Sequence, residues 1–231
     1  MFVLNSSDIA SFDLKNARDF VTFWNRFYAY EVTLPEDEKQ RIDYFSELNL
    51  GSDLSEQNVR RLLRWKDPRF LTDPTKGTNQ PNKKVRRVLE SLPIINGFRR
   101  NEKTEDEMRL AVEGIFESPT IVWRAFLLHI AKPHIYPIAD QNVFRSYCLH
   151  TANPEPQTWQ SYADYSDYFA QIADEMGTTR TLENTREVKR IDNALFVFGQ
   201  FLKEYYKAPA VQSSSRGSDL QSGSLAVAGR D

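Results

Sequence analysis

The spacing of its apolar residues constrains the fold of this chain most, because that spacing is helical almost from end to end. Val188, Ile191, Leu195 and Phe198 step by three and four residues, which places them on one face of an α-helix. The segment 13–31 follows the same spacing. No segment clearly alternates between apolar and polar residues, as a half-buried β-strand would. The pattern therefore predicts an all-α protein of about nine helices.

Proline and glycine mark the limits of the predicted helices. Residues 34–37 read Leu-Pro-Glu-Asp, which is typical of the start of a helix. Residues 67–82 contain three prolines and a glycine, so we expect a loop there. From 208 to 231 the chain turns to Ser, Gly, Ala and Gln, which cannot bury enough apolar surface to offset the entropy of ordering. We therefore predict one helical domain over 1–207, in one or two lobes, and a disordered tail over 208–231.

The chain lacks the residues that several kinds of site require. Cys148 is its only cysteine, which excludes an intramolecular disulfide and a cysteine-based zinc or iron–sulfur site. His129, His134 and His150 have no diagnostic metal-ligand spacing and no accompanying cluster of carboxylates. We therefore expect no metal and no cofactor.

The chain also carries no sign of a membrane partner. No apolar stretch approaches the roughly 20 residues of a transmembrane helix, and no secretory signal opens the sequence. We expect a soluble, cytoplasmic protein, and association with the nucleoid is compatible with this location. The sequence leaves the oligomeric state open.

Positive charge is concentrated in one part of the chain. Between Arg60 and Arg100 there are twelve Lys and Arg residues against three acids, although the whole chain has a net charge of −2. Exposed helix faces normally mix the two signs, so we expect a surface that faces nucleic-acid phosphates. A solvated helix face and a docking surface for an acidic protein remain alternatives. The predicted DNA-binding cations of this stretch are Arg60, Arg61, Arg64, Lys83, Lys84, Arg86 and Arg87.

The best candidate for chemistry is Asp140, which follows a short apolar segment and opens a predicted helix over 141–151. At the N-cap of that helix, its side chain would accept hydrogen bonds from free backbone N–H groups. The positive end of the helix dipole favours a carboxylate there. A fixed carboxylate can stabilise a developing cation or activate a water molecule. A plain helix cap with no further role is the alternative.

This segment resembles the helix-hairpin-helix DNA glycosylase superfamily. In the adenine-mismatch branch of that superfamily, the corresponding segment reads roughly F-P-I-x-D-x-N-V-x-R. The apolar run 126–133 is similar to the second helix of the hairpin that precedes the catalytic aspartate, and the resemblance covers about residues 118–150. The matching positions are Tyr136, Pro137, Ile138, Asp140, Asn142, Val143 and Arg145.

The resemblance implies two helical lobes around a cleft, duplex DNA as the partner and Asp140 as the catalytic residue. The carboxylate would stabilise positive charge on the sugar while a damaged or modified base leaves. That base would first be flipped out of the duplex into an aromatic pocket. Trp24, Trp65, Trp123, Phe144 and Tyr147 are available as its walls, and Trp123, Phe144 and Tyr147 are the predicted base pocket. Arg145 would face the DNA or the neighbourhood of Asp140.

Two departures from the superfamily pattern refine this expectation. The segment 120–126 contains no lysine where bifunctional members carry their nucleophile, which implies a monofunctional enzyme that leaves an abasic site. The hairpin glycines that bind a phosphate are absent, but Ser118 and Thr120 could donate to a phosphate at a helix N-terminus. A non-catalytic helical module that binds DNA or another protein remains the alternative.

Overall fold

The computed structural model describes residues 16–29, 33–34, 37–67, 83–116 and 121–205. This part of the chain is all-α, as predicted, with one small pair of antiparallel strands, β1 (Thr33–Leu34) and β2 (Asp37–Arg41). The helix start predicted at residues 34–37 is wrong, because the chain pairs with itself there. The helices are α1 (Ala17–Asn25), α2 (Tyr44–Leu48), α3 (Glu56–Lys66), α4 (Lys83–Glu90), α5 (Leu92–Arg99), α6 (Glu105–Ile115), α7 (Ile121–Ala131), α8 (Gln141–Thr151), α9 (Trp159–Glu175) and α10 (Thr185–Tyr205).

Several predicted features lie outside the described residues. These are Ser118 and Thr120, all but the first residue of the predicted loop 67–82, and the predicted tail 208–231.

Polar side chains define where the helices begin. Thr104 and Glu107 form a capping box at the start of α6, and Ser55 and Asn58 form one at the start of α3. Each box satisfies backbone N–H groups that the first turn of a helix leaves without a partner. These caps fix the direction in which α3 and α6 leave their preceding loops.

Helix α10 lies at the centre of the part that carries Asp140, packed against α1 and α8. Phe198 of α10 is fully buried. Its ring lies 5.3 Å from that of Phe20 and 5.0 Å from that of Trp24, measured between centroids. Next to it, Gly199 has no side chain, and a Cβ there would lie 1.9 Å from the carbonyl oxygen of Asn142. Only glycine permits this approach, which brings the backbone of α10 against the first turn of α8.

Helices α5, α6 and α7 pack against one another, and polar side chains tie them to α2 and α3. The buried amide of Asn96 on α5 bonds both the N–H and the carbonyl of Leu54, at 2.9 and 3.0 Å. The guanidinium of Arg99 donates to the carbonyls of Leu48, Asn49 and Ile130. Arg99 belongs to the basic stretch, but it serves to hold the C-terminal ends of α2 and α7.

Candidate functional site

Residues distant in the sequence surround a cavity of about 210 Å³. The cavity lies where the C-terminal end of α3, the loop before α8 and one face of α10 meet. Its lining combines aromatic rings with four charged side chains, which is the mixture expected of a ligand site. The lining residues are Tyr28, Trp65, Lys66, Ile138, Asp140, Asn142, Val143, Lys189, Asp192 and Phe196.

Asp140 occupies the predicted N-cap position of α8. Its backbone is extended, and Oδ1 accepts a hydrogen bond from the N–H of Asn142 at 2.8 Å. Oδ2 lies 3.3 Å from Nζ of Lys66, and the side chain is 27% exposed. The carboxylate is therefore fixed at one oxygen by its own helix and lies at the rim of the cavity, between the interior and solvent.

Buried side chains hold the segment that leads to Asp140. The carbonyls of residues 136–139 all accept a hydrogen bond from a side chain on another element. This matters because a buried non-helical backbone is stable only when its polar groups find partners. The bonds run from His129 Nδ1 to Tyr136 at 2.6 Å, Tyr162 Oη to Pro137 at 2.8 Å, Tyr165 Oη to Ile138 at 3.3 Å and Lys66 Nζ to Ala139 at 2.8 Å.

His129 has a structural role. Its Nδ1 must carry the proton, because its partner is the carbonyl of Tyr136, which only accepts. Its Nε2 then accepts from the hydroxyl of Tyr44. Complete burial lowers the pKa of His129 to about 3, so the ring is neutral near pH 7. With both nitrogens engaged within the protein, His129 is a positioning residue for the loop.

Two lysines at the cavity were not predicted as site residues. Lys66 is 8% exposed and contacts both the carbonyl of Ala139 and the carboxylate of Asp140. Lys189 is 6% exposed, and its Nζ donates to Oδ1 of Asn193 at 2.8 Å. Burial lowers the pKa of Lys189 to about 8, against the opposing effect of Asp192.

Aromatic rings surround the ammonium of Lys189. Nζ lies 5.4 Å from the ring centroids of Tyr28 and Tyr44 and 5.7 Å from that of Trp65. Contacts of this kind stabilise a cation that has left water. Lys189 also lines a second cavity of about 380 Å³, which shares Tyr28 and Trp65 as walls with the first.

Asp192 is the second carboxylate of the cavity and was also not predicted. It is 2% exposed, and its Oδ1 accepts from the N–H of Ile138 at 3.1 Å. Its Oδ2 has no hydrogen-bond partner in the described part of the chain. Burial raises the pKa of Asp192 to about 6, although Lys189, the Ile138 N–H and Lys66 all act to lower it. Lys189 and Asp192 are three residues apart, with Phe196 four further on, a spacing that places all three on one helix face.

The structure corrects the predicted aromatic walls. Phe144 and Tyr147 are buried on the side of α8 that faces α9, with ring centroids 5.4 and 5.6 Å from that of Tyr165. Trp123 on α7 packs against Phe126 of the same helix and against Phe116, which directly follows α6. None of the three is among the residues that line the cavity, and within the described part of the chain its rings are Tyr28, Trp65 and Phe196.

The predicted DNA-binding cations of α3 are largely engaged with acids. Arg61 forms an ion pair with Glu47 at 2.7 Å, and Arg60 lies 3.8 Å from Glu56. Arg64 is half-buried. These contacts reduce the positive charge that α3 can offer to a phosphate.

The cations of α4 and α8 are placed differently. Lys83, Lys84 and Arg86 on α4 have exposed side chains, whereas Arg87 is half-buried near the carbonyls of Gly114 and Ile115, at 3.5 Å. Arg145 on α8 donates to Oδ1 of Asn142 at 2.6 Å. Among the described residues of the basic stretch, three exposed cations therefore lie on α4, and Arg100 is exposed at the end of α5.

Comparison with known proteins adds no identification: the chain matches no protein-family profile, no curated protein and no solved structure. Within the described residues, no helix has the length and apolar character to cross a membrane. Across those same residues, no three His, Cys, Asp or Glu side chains cluster as metal ligands would.

Proposed function

We propose that the protein is a monofunctional DNA N-glycosylase that removes a damaged or modified base, with Asp140 as the catalytic carboxylate. The observation that carries this proposal is the position of Asp140 at the rim of an aromatic-walled cavity. A base inside the cavity would leave its deoxyribose at the rim, next to Oδ2 of Asp140.

The chemistry requires a fixed negative charge beside the sugar. As the bond between base and sugar breaks, its electron pair leaves with the base and positive charge develops on the sugar. A preorganised carboxylate stabilises that charge more in the transition state than in the ground state. Water then adds to the sugar carbon, and a carboxylate at this position can orient the water and accept its proton, which then passes to the departing base. The products are a free base and an abasic site.

The lysines of the cavity support hydrolysis by water. An amine nucleophile needs a free electron pair and access to the sugar. Lys66 is held by the carbonyl of Ala139 and the carboxylate of Asp140, and Lys189 is held by Asn193. Both ammonium groups are therefore occupied with acceptors of the protein.

The size of the cavity suits a single base. Its volume of about 210 Å³ exceeds the roughly 150 Å³ of an apolar cavity that holds benzene, so one ring or two fused rings can enter. Tyr28, Trp65 and Phe196 present rings against which a base can stack. A base must leave the duplex to reach this cavity, so the proposal requires base flipping.

For the fold, the proposal assigns α6 and α7 to the hairpin of a helix-hairpin-helix element within a two-lobed arrangement around a cleft. Its support is the order of elements: α6 packs against α7, α7 leads into residues 132–139, and Asp140 opens α8. The DNA surface would include the exposed cations of α4, namely Lys83, Lys84 and Arg86.

The test is base release from duplex oligonucleotides that each carry one modified base, followed by mass spectrometry of the free base and alkaline cleavage at the abasic site. Asp140→Asn is the decisive variant, because asparagine caps a helix as well as aspartate does but has no negative charge. We expect release by the wild type and a loss of at least about 100-fold in the variant, with a circular dichroism spectrum that shows the variant to be folded. Asp106→Asn, at an exposed acid of α6, is the matched control and should keep full activity.

One observation favours a non-catalytic DNA-binding module as the second candidate. The ammonium of Lys66, 3.3 Å from Asp140, partly neutralises the carboxylate that catalysis needs. This candidate predicts salt-dependent binding of duplex DNA with no product from any modified base. Activity retained in full by Asp140→Asn would refute the assignment of Asp140.

A further inference from the structure

The buried oxygen Oδ2 of Asp192 is the feature of the cavity that the proposed reaction does not use. The side chain is 2% exposed, its Oδ1 bonds the N–H of Ile138, and its Oδ2 lacks a partner in the described part of the chain. Buried polar atoms in folded proteins nearly always have a partner. Asp192 is one of the residues that line the cavity of about 210 Å³, so its unpartnered acceptor points to a donor on a ligand bound there.

The neighbouring cations do not take that role. Nζ of Lys189, one turn earlier on α10, donates to Asn193 at 2.8 Å. Nζ of Lys66 donates to Ala139 at 2.8 Å and lies 3.3 Å from Asp140. Both lysines line the same cavity as Asp192. A ligand there meets the acceptor at Asp192 and two ammonium groups that can donate to a ring nitrogen or a carbonyl oxygen, while the carboxylate of Asp140 lies at the rim.

The walls and the volume limit the shape of the ligand. Tyr28, Trp65 and Phe196 favour a flat aromatic molecule, and about 210 Å³ allows one or two fused rings. The acceptor at Asp192 and the two ammonium groups favour a donor on one edge of the ligand with acceptors beside it. A neutral nucleobase with an exocyclic amino group next to a ring nitrogen has this pattern.

We propose that Asp192 determines which base the cavity accepts, by receiving a hydrogen bond at Oδ2 from the exocyclic amino group of a neutral nucleobase. The inference rests on the proposed function for the origin of the base. It goes beyond that function by assigning a specificity-determining residue and a class of base. At pH 7.5 the side chain is ionised, because its pKa lies at about 6, and an ionised carboxylate only accepts.

Binding of free bases to the full chain tests the inference without any reaction. Cytosine and uracil differ at one edge, where cytosine has an amino group and uracil a carbonyl oxygen, and adenine and hypoxanthine differ in the same way. Calorimetric titration at pH 7.5 should give the wild type a preference of about tenfold for cytosine over uracil and for adenine over hypoxanthine. Equal affinities, a preference for the carbonyl members, or no binding of any of the four bases would overturn the inference.

Asp192→Asn provides the sharper test, because it inverts the hydrogen-bonding character of the wall. The amide oxygen must stay on the N–H of Ile138, since an amide nitrogen does not accept. The amide NH₂ then takes the place of Oδ2 and donates. We expect the variant to prefer uracil and hypoxanthine. The control Asp167→Asn, at an exposed acid of α9, should keep the wild-type preference.

The outcomes separate this inference from the proposed function. Amino-base preference without base release from any duplex would retain the role of Asp192 and refute the glycosylase. Base release whose selectivity is unchanged by Asp192→Asn would retain the glycosylase and refute the role of Asp192. If the variant fails to fold, the preference of the wild type between the paired bases decides the question alone.

Discussion

Replacing Gly199 with alanine tests the contact that brings α10 against the start of α8. A Cβ at this position would lie 1.9 Å from the carbonyl oxygen of Asn142, 2.4 Å from its carbonyl carbon and 2.9 Å from its Cα. Non-bonded atoms do not approach a Cβ this closely, so the two helices must separate by about 1 Å. The neighbour is backbone and cannot rotate away.

The size of the effect follows from two opposing contributions. Overpacking a well-packed contact costs about 1–3 kcal/mol, and the upper end applies because the backbone of α8 has to move. Alanine in place of glycine inside a helix stabilises the folded state by about 1 kcal/mol through its higher helix propensity. We therefore expect a net loss of about 2 kcal/mol, which for a chain of this size lowers the melting temperature by roughly 4–8 °C. The displaced turn also carries Asp140, so the proposed base release should fall by more than the stability loss explains.

Gly114 provides the matched control for this prediction. It also lies inside a helix, α6, but no atom is within 4 Å of where its Cβ would be. Gly114→Ala should therefore raise the melting temperature, through helix propensity alone. The measurement is thermal unfolding of both variants followed by circular dichroism. If Gly199→Ala stabilised the protein as Gly114→Ala does, the close contact of α10 with α8 would be refuted.

Two further predictions concern the charged residues. Asp192 has a folded-state pKa of about 6 against an ordinary value of 3.8, so its ionisation destabilises the fold above pH 6 and has no effect below pH 4. At pH 7.5 the free energy of unfolding of Asp192→Asn should therefore exceed that of the wild type, which also raises the melting temperature. The difference should be less than about 3 kcal/mol, because Lys189 loses a favourable neighbour in the variant. A difference between the two proteins that failed to disappear between pH 6 and pH 4 would contradict the prediction. On α4, Lys83→Glu with Arg86→Glu should weaken duplex binding equally for all sequences and flatten the logarithmic salt dependence by about 1–2 units. Arg190→Glu should leave it unchanged in a filter-binding titration.

The parts of the structure that the sequence predicted well are those that depend on local patterns. The N-cap at Asp140 and the apolar stripe of α10 each follow from residues within one or two turns. Pairing of β1 with β2 was missed because Pro35 and the acids after it are locally suited to a helix start. Local signals carry no information on a pairing of this kind.

The composition of the cavity could not be read in the same way. Phe144 and Tyr147 are among the aromatic residues predicted as walls, but both lie on the side of α8 that packs against α9. The actual walls come from residues 28, 65 and 196, which only the packing of α1, α3 and α10 brings together. The sequence does contain a signal for three of the lining residues. The spacing of Lys189, Asp192 and Phe196 places two charges and a ring on one helix face beside the apolar stripe of α10.

The cost of holding the loop 136–139 in place bears on whether Asp140 is more than a helix cap. A cap works equally well at the end of an exposed loop, where water satisfies the backbone. Here the loop is held by His129, Tyr162, Tyr165, Lys66 and Asp192. These side chains come from four helices, and two of the five would be charged at neutral pH.

An apolar core at those positions would be the simpler source of stability. Burying Asp192, whose raised pKa records an unfavourable environment for its charge, makes the fold less stable at neutral pH than it needs to be. Such costs are typical of sites where geometry matters more than stability. The arrangement therefore favours the proposed role of Asp140, a carboxylate held in one position for a reaction at the cavity rim. The proposed hydrogen bond from a base explains why position 192 carries an acid inside the protein.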